Sequence, residues 1–159
     1  MLRLSDVLQE GAIRVPLAAR EPRSIVEELV DAIPSCRNRA LRDEVVRRVL
    51  ERESLESTAI GHGVAFPHGM APVGPHVLVA LGVTAAPVEY DSFDGQPVRI
   101  VLLIVGSEEN RRAQLRVLSL ATTLLHEPAF RERLIAARDA ADALDIVRRA
   151  EAEESGGPE

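Results

Sequence analysis

Two stretches, VLVALGVTAA at residues 77–86 and VRIVLLIV at residues 98–105, are near-continuous apolar runs separated by the turn-rich VEYDSFDGQP. A strand with one face in water alternates apolar and polar residues; a strand that does not alternate is buried on both faces. Sheets built from such strands need helices on both sides. The expected fold is therefore α/β, with a mixed β-sheet of about five strands flanked by helices on both faces.

The helices are legible on either side of these runs. Ser5 and Asp6, followed by Val7 and Leu8, form a short capped helix, and AIRVPL at residues 12–17 alternates as a strand. A helix opening near Pro22 or Ser24 places Ile25, Val26, Leu29, Val30 and Ile33 on one stripe and stops at Pro34. From Leu41 to about Glu53, the residues Leu41, Val45, Val46, Val49 and Leu50 repeat on one face, with Arg42, Glu44, Arg47, Arg48 and Glu51 on the other. Arg52 follows Val49 by three positions and so emerges at the end of the buried face. Downstream, helices are expected over Arg111 to Leu125, Pro128 to Ala136 and Ala140 to about Glu153. No internal repeat or composition break marks a second unit, so residues 1–153 read as one domain and residues 154–159 as a disordered tail within a frayed end, EAEESGGPE.

Composition narrows the chemistry. Hydrophobic residues make up 46% of the 159, charged residues 28% and aromatics 3% with no Trp, so the core is built from Val, Leu, Ile and Ala. All 19 basic residues are Arg and Lys is absent, which reads simply as an Arg bias of the source. It nonetheless excludes a Schiff-base lysine, a lysine general base and the lysine of a nucleotide P-loop. A net charge of −6 argues against nucleic acid or an anionic membrane as a partner. Cys36 has no second thiol to pair with and reads as a passive residue of a reducing compartment. The N-terminus lacks a signal-peptide core, and the longest apolar runs fall far short of the ~20 residues of a spanning helix. The chain is expected to be cytoplasmic, without direct membrane insertion.

The segment SLESTAIGHGVAFPHGMAPVG, residues 54–74, is punctuated by Gly and Pro, with GVAF as a short strand between turns. Of the four histidines, only His68 is framed in a way that constrains it: a short apolar strand runs into Pro67, His68 follows, and Gly69 frees the backbone after it. This delivers an imidazole at a strand end on a rigid turn. A neutral imidazole with a pKa near ~6.5 is a competent nucleophile and exchanges a phosphoryl group without metal, lysine or cofactor. The incoming charge of roughly −1.5 to −2 calls for a cation and hydrogen-bond donors. Arg52, Ser57 and Thr58, all within sixteen positions of His68, are suited to that work. A purely structural histidine beside a proline turn is the competing reading of the same residues.

The run RESLESTAIGHGVAFPHG, residues 52–69, resembles the signature of the IIA domain of the phosphoenolpyruvate-dependent sugar phosphotransferase system, in its fructose, mannitol and nitrogen-regulatory class. DSFDGQPVRIVLLIV and QLRVLSLATTLL resemble that family's turn, central strand and following helix, and the similarity extends from SDVL near the start to ADALDIV near the end. The resemblance implies a cytoplasmic, bacterial phosphoryl carrier. In it His68 is charged by an HPr-like phosphocarrier and passes the group to a IIB component during sugar uptake. Arg52 would face the phosphate, and Ser57 or Thr58 would contribute to the hydrogen-bonding shell. The alternative within the same family is a regulator of nitrogen type, whose phosphorylation at His68 controls binding to target proteins. A third possibility is a module that binds partners without being phosphorylated.

The sequence departs from the family at one position. Many members carry a second active-site histidine, followed by Leu, where this chain has Gln114. Gln114 shares a helix face with Val117, Leu118, Ala121 and Leu125, which places a polar group at the head of a buried stripe. Glutamine donates a hydrogen bond to a phosphate oxygen but carries neither charge nor a titrating proton.

The remaining polar residues have simpler readings. His62 fits a loop, although it could approach the site. A metal cluster of His62, His68 and His76 lacks ligand spacing and thiol support, so no metal is expected. His126 reads as a helix cap, Asp91 and Asp94 as turn residues, and Arg111 and Arg112 as solvent-facing, with partner docking as the alternative.

Overall fold

The computed structural model describes residues 2–92 and 94–155. Its helices are α1 (Leu4–Val7), α2 (Pro22–Ala32), α3 (Arg39–Leu55), α4 (Arg111–Leu125), α5 (Pro128–Ile135) and α6 (Ala140–Ser155). Its strands are β1 (Ile13–Leu17), β2 (Ala59–Gly61), β3 (Val64–Ala65), β4 (His68–Met70), β5 (Leu78–Val88) and β6 (Val98–Gly106). The sheet has six strands where about five were expected, because the Gly- and Pro-rich segment yields three very short ones instead of one. Glu154 and Ser155, expected in the disordered tail, belong to α6; residues 156–159 lie outside the described residues.

The sheet runs β1-β5-β6-β3-β2, with β4 also paired to β6. β5 and β6 are antiparallel, joined through the turn-rich segment, whereas β1 lies parallel to β5 and both β3 and β4 lie parallel to β6. The two apolar runs occupy the centre, as their lack of alternation requires. Along β6, Ile100, Leu102 and Ile104 pack into a core with α1, α4, α5 and α6, while Val101, Leu103 and Val105 pack into a second core under α2 and α3. Period-2 geometry thus divides one apolar strand between two helical layers.

Helix phases follow the sequence pattern. Ile25, Val26, Leu29 and Val30 of α2 and Val45, Val46 and Val49 of α3 are buried. Cys36 is buried in the same layer, and loss of hydration, reinforced by Asp31, pushes its thiol up to about 11. The ends of the chain are tied together: the buried Glu151 carboxylate of α6 accepts from the Leu4 N–H at 2.6 Å and from the Ser5 N–H at 3.3 Å. Among the described residues, no helix is long and apolar enough to cross a membrane.

Candidate functional site

The expected arrangement had His68 closing the GVAF strand. Instead the strand breaks at Phe66 and Pro67, and His68 opens β4. Pro67 has no N–H for the ladder, but its carbonyl accepts from Ile104 N at 3.1 Å, and the chain resumes pairing beside β6 with His68 opposite Ile104. His68 therefore stands at the open end of a parallel strand, where α3 and α4 approach from either side.

Gly69 lets α3 come close. A Cβ at this position would lie 3.3 Å from the backbone nitrogen of Val49 and 3.4 Å from the carbonyl carbon of Arg48. With the helix seated on β4, Arg48 and Arg52, one turn apart, both line the same cleft as His68. The result is an open cleft of about 640 Å³. α3 contributes Arg48, Glu51, Arg52, Ser54 and Leu55; the sheet contributes His68, Gly69, Met70 and Ile104; α4 contributes Arg111, Gln114, Leu115 and Leu118.

His68 is half-buried, and its Nδ1 lies 2.8 Å from the Phe66 carbonyl oxygen. A carbonyl only accepts, so Nδ1 carries the proton and Nε2 of the neutral ring keeps its lone pair. Gln114 is buried, and its Nε2 donates to the Gly69 carbonyl at 3.1 Å, one residue from His68. Its amide packs so tightly against β6 that a Cβ on Gly106 would fall 2.6 Å from both Cδ and Oε1 of Gln114. Arg52 is half-buried and donates one N–H to the Glu56 carbonyl at 3.0 Å, which closes the C-terminus of α3.

Charge in the cleft comes from arginine. Arg48 donates from Nε to Glu44 at 2.8 Å, and Arg47 holds the same carboxylate at 2.7 Å; these two hydrogen bonds keep Glu44 below the usual carboxylate range. Glu51, the acidic residue of the lining, is paired to Arg47 at 2.6 Å. Arg111 was expected to face solvent with Arg112; Arg112 is exposed outside the cleft, whereas Arg111 is exposed but lines it.

Ser57 and Thr58 do not line the cleft. The buried Thr58 hydroxyl donates to Glu53 at 2.6 Å, the Thr58 N–H donates to the same carboxylate at 3.2 Å, and the Ser57 hydroxyl accepts from Ala59 N at 3.2 Å. Both hydroxyls are engaged in building the turn from α3 into β2. Of the five residues singled out in the sequence, the fold thus brings together His68, Arg52 and Gln114.

His62 sits in a left-handed conformation with φ of 57° on the β2–β3 turn, where its N–H donates to Asp94 at 2.9 Å. That bond, with a second from Gln96 N, holds the Asp94 carboxyl below its usual range. Asp94 is thus a turn residue that also reaches a second turn. His76 lines a separate cavity of about 340 Å³ with Asp6 and Gln9, and His126 is the C-cap of α4. Among the described residues, no three His, Cys, Asp or Glu side chains are grouped to hold a metal ion.

Arg48, Leu55, Arg111 and Leu115 also line the cleft, although motif and composition do not place them beside His68. The available signal was spacing: Arg48 precedes Arg52 by four residues, and Arg111, Gln114, Leu115 and Leu118 fall at i, i+3, i+4 and i+7. Two of these are unusually exposed for leucine, Leu55 at 83% and Leu115 at 60%.

The chain is 28% identical over 146 residues to the fructose-specific EIIABC component of Bacillus subtilis, covering 92% of this chain but spanning only 23% of that relative's length. It is 30% identical over 137 residues to a nitrogen regulatory protein of Bradyrhizobium diazoefficiens, covering 86% of this chain and 89% of that one. The crystal structure of the nitrogen regulatory protein IIA-Ntr from Neisseria meningitidis superposes with a TM-score of 0.81 at 25% identity, over 91% of this chain and 98% of that one. Residues 6–150 match the family described as phosphoenolpyruvate-dependent sugar phosphotransferase system, EIIA 2, and the chain belongs to that family.

Proposed function

We propose that the protein is a cytoplasmic phosphoryl carrier that accepts a phosphoryl group on Nε2 of His68 from a phosphohistidine on an HPr-like protein. The carrying observation is the anchored ring: with Nδ1–H held by the Phe66 carbonyl, the nucleophilic lone pair lies on the other nitrogen, in a cleft lined by Arg52. The Nε2 lone pair attacks phosphorus as the donor's N–P bond breaks, and the bonding electrons return to the donor imidazole. The His68 Nδ1 proton stays in place and stabilises the charge that develops on the ring. The Arg52 guanidinium compensates the transferred charge.

Both faces of the cleft offer apolar contact to a partner. Leu55 on α3 and Leu115 on α4 are exposed beside His68, the pattern of an anchor patch framed by charge. The next acceptor is a IIB component, a reading supported by a fructose relative whose name joins the A, B and C components.

A regulatory role is the second reading, in which the phosphorylation state of His68 controls binding to target proteins. It is favoured by the match over 89% of a relative named as a nitrogen regulatory protein. Incubation with phosphoenolpyruvate, enzyme I and HPr tests what both readings share. Acid-labile label on the wild-type chain, lost in His68→Ala, is expected; absence of label contradicts both. Onward transfer to a IIB domain then separates carrier from regulator.

A further inference from the structure

We propose that Arg111 supplies the cationic charge that Gln114 cannot, so that the phosphorylated state of His68 is stabilised from the α4 side of the cleft as well as from α3. This inference rests on the reading of His68 as the phosphoryl acceptor.

A phosphoryl group on His68 brings roughly −1.5 to −2 charges into the cleft. Gln114 is neutral, and one of its two amide N–H donors is already given to the Gly69 carbonyl. On the α3 wall, Arg48 is held by Glu44 and Arg52 gives one donor to the Glu56 carbonyl. Arg111 differs from both: it lines the same cleft, yet among the described residues its guanidinium makes no hydrogen bond and no ion pair.

Its position is otherwise unfavourable. Arg111 is the first residue of the fifteen-residue α4, where the positive end of the helix dipole disfavours a cation; the first turn of α4 holds no acidic residue, and Glu108 and Glu109 just before it form no ion pair with Arg111 among the described residues. A cation placed against its helix dipole and left without a paired carboxylate is available to the cleft that it lines. Here that is the cleft: Arg111 and Gln114 are one turn apart on the same face, so a dianion beside Gln114 meets the guanidinium fork and the helix N-terminus together. The arrangement converts two mutually repelling features of α4 into one complement for phosphate.

An arginine beside an active site could instead only dock an acidic partner. The two roles separate thermodynamically. Docking changes the forward and reverse rates of transfer alike and leaves the final distribution of phosphate untouched, whereas a charge that stabilises phospho-His68 shifts that distribution.

The test uses the full chain mixed with phospho-HPr, with the ratio of phosphorylated to free protein measured at equilibrium. Arg111→Gln is expected to lower this ratio roughly two- to fivefold, the range of a partly exposed ion pair. Arg111→Lys should retain most of it, Arg112→Gln should leave it at the wild-type value, and Gln114→His should restore it in the Arg111→Gln background. Thermal melting of Arg111→Gln checks that the fold is unchanged. A wild-type ratio in Arg111→Gln, whatever happens to the rates, overturns the proposal, as does an equal loss in Arg112→Gln. A wild-type chain that takes no phosphate at all fails at the earlier step and takes the reading of His68 with it.

Discussion

The Nδ1 atom of His68 stands 2.8 Å from the carbonyl oxygen of Phe66, two residues earlier, across the proline that separates β3 from β4. One short contact therefore fixes the tautomer, orients the ring and leaves Nε2 as the nitrogen with a free lone pair. Pro67 contributes by breaking the strand where the ring needs its carbonyl partner.

Arg52→Ala should slow phosphorylation of His68 by roughly a hundredfold to a thousandfold, the scale of losing one preorganised donor to developing charge. The variant also loses the donor to the Glu56 carbonyl, an exposed contact at the end of α3, so its stability should fall by less than about 1 kcal/mol. Phosphotransfer kinetics beside a urea melt check both; unfolding of the variant would assign Arg52 to structure instead.

Gly106→Ala should displace Gln114. The new methyl would stand 2.6 Å from the Gln114 amide and 3.0 Å from Asn110 Oδ1, so overpacking of about 1–3 kcal/mol is expected. Adding Gln114→Ala to Gly106→Ala should recover part of the loss. A double-mutant cycle on urea midpoints measures that coupling, and strict additivity would show that the amide is not what the methyl meets.

Cys36 should resist iodoacetamide at neutral pH in the folded protein and react promptly in urea, because burial raises its thiol to about 11. The sign of the linkage follows. The unfolded chain, with a thiol near 9.0, releases its proton first, so stability is unaffected below that pH and falls as pH rises from about 9 toward 11. Cys36→Ala should flatten that part of a stability-versus-pH curve.

Glu151→Ala should cost about 1–3 kcal/mol, since it leaves the Leu4 N–H of α1 without its acceptor, and Glu151→Gln should cost less. Urea denaturation of the two variants measures the difference. Equal losses would mean that the negative charge, which glutamine lacks, is what the Leu4 N–H requires.

The parts of the fold legible in sequence are those with many residues per period. α2, α3 and α4 declare themselves through apolar stripes, and β5 and β6 through runs whose lack of alternation matches burial between two layers. Strands of two or three residues carry no period, so β2, β3 and β4 read as one irregular strand and turns. The parallel pairing of β1 with β5 joins segments more than sixty residues apart and leaves no local trace. His68, Arg52 and Gln114, which motif and helix phase single out, line one cleft. Ser57 and Thr58 were misplaced because their hydroxyls fit a phosphate as well as they fit Glu53 and the backbone. Arg48, Arg111, Leu55 and Leu115 were missed because the cleft is made by two helices meeting over β4, a tertiary relationship that neither helix encodes alone.

The role of His68 as phosphoryl acceptor is tested most directly by an NMR spectrum of the ¹⁵N-histidine-labelled protein after phosphorylation by phosphoenolpyruvate, enzyme I and HPr. A single phosphorus–nitrogen coupling at Nε2 of His68 is expected, with Nδ1 still protonated against the Phe66 carbonyl. Phosphate on Nδ1 of His68, phosphate on another residue, or no phosphate on the protein would contradict it.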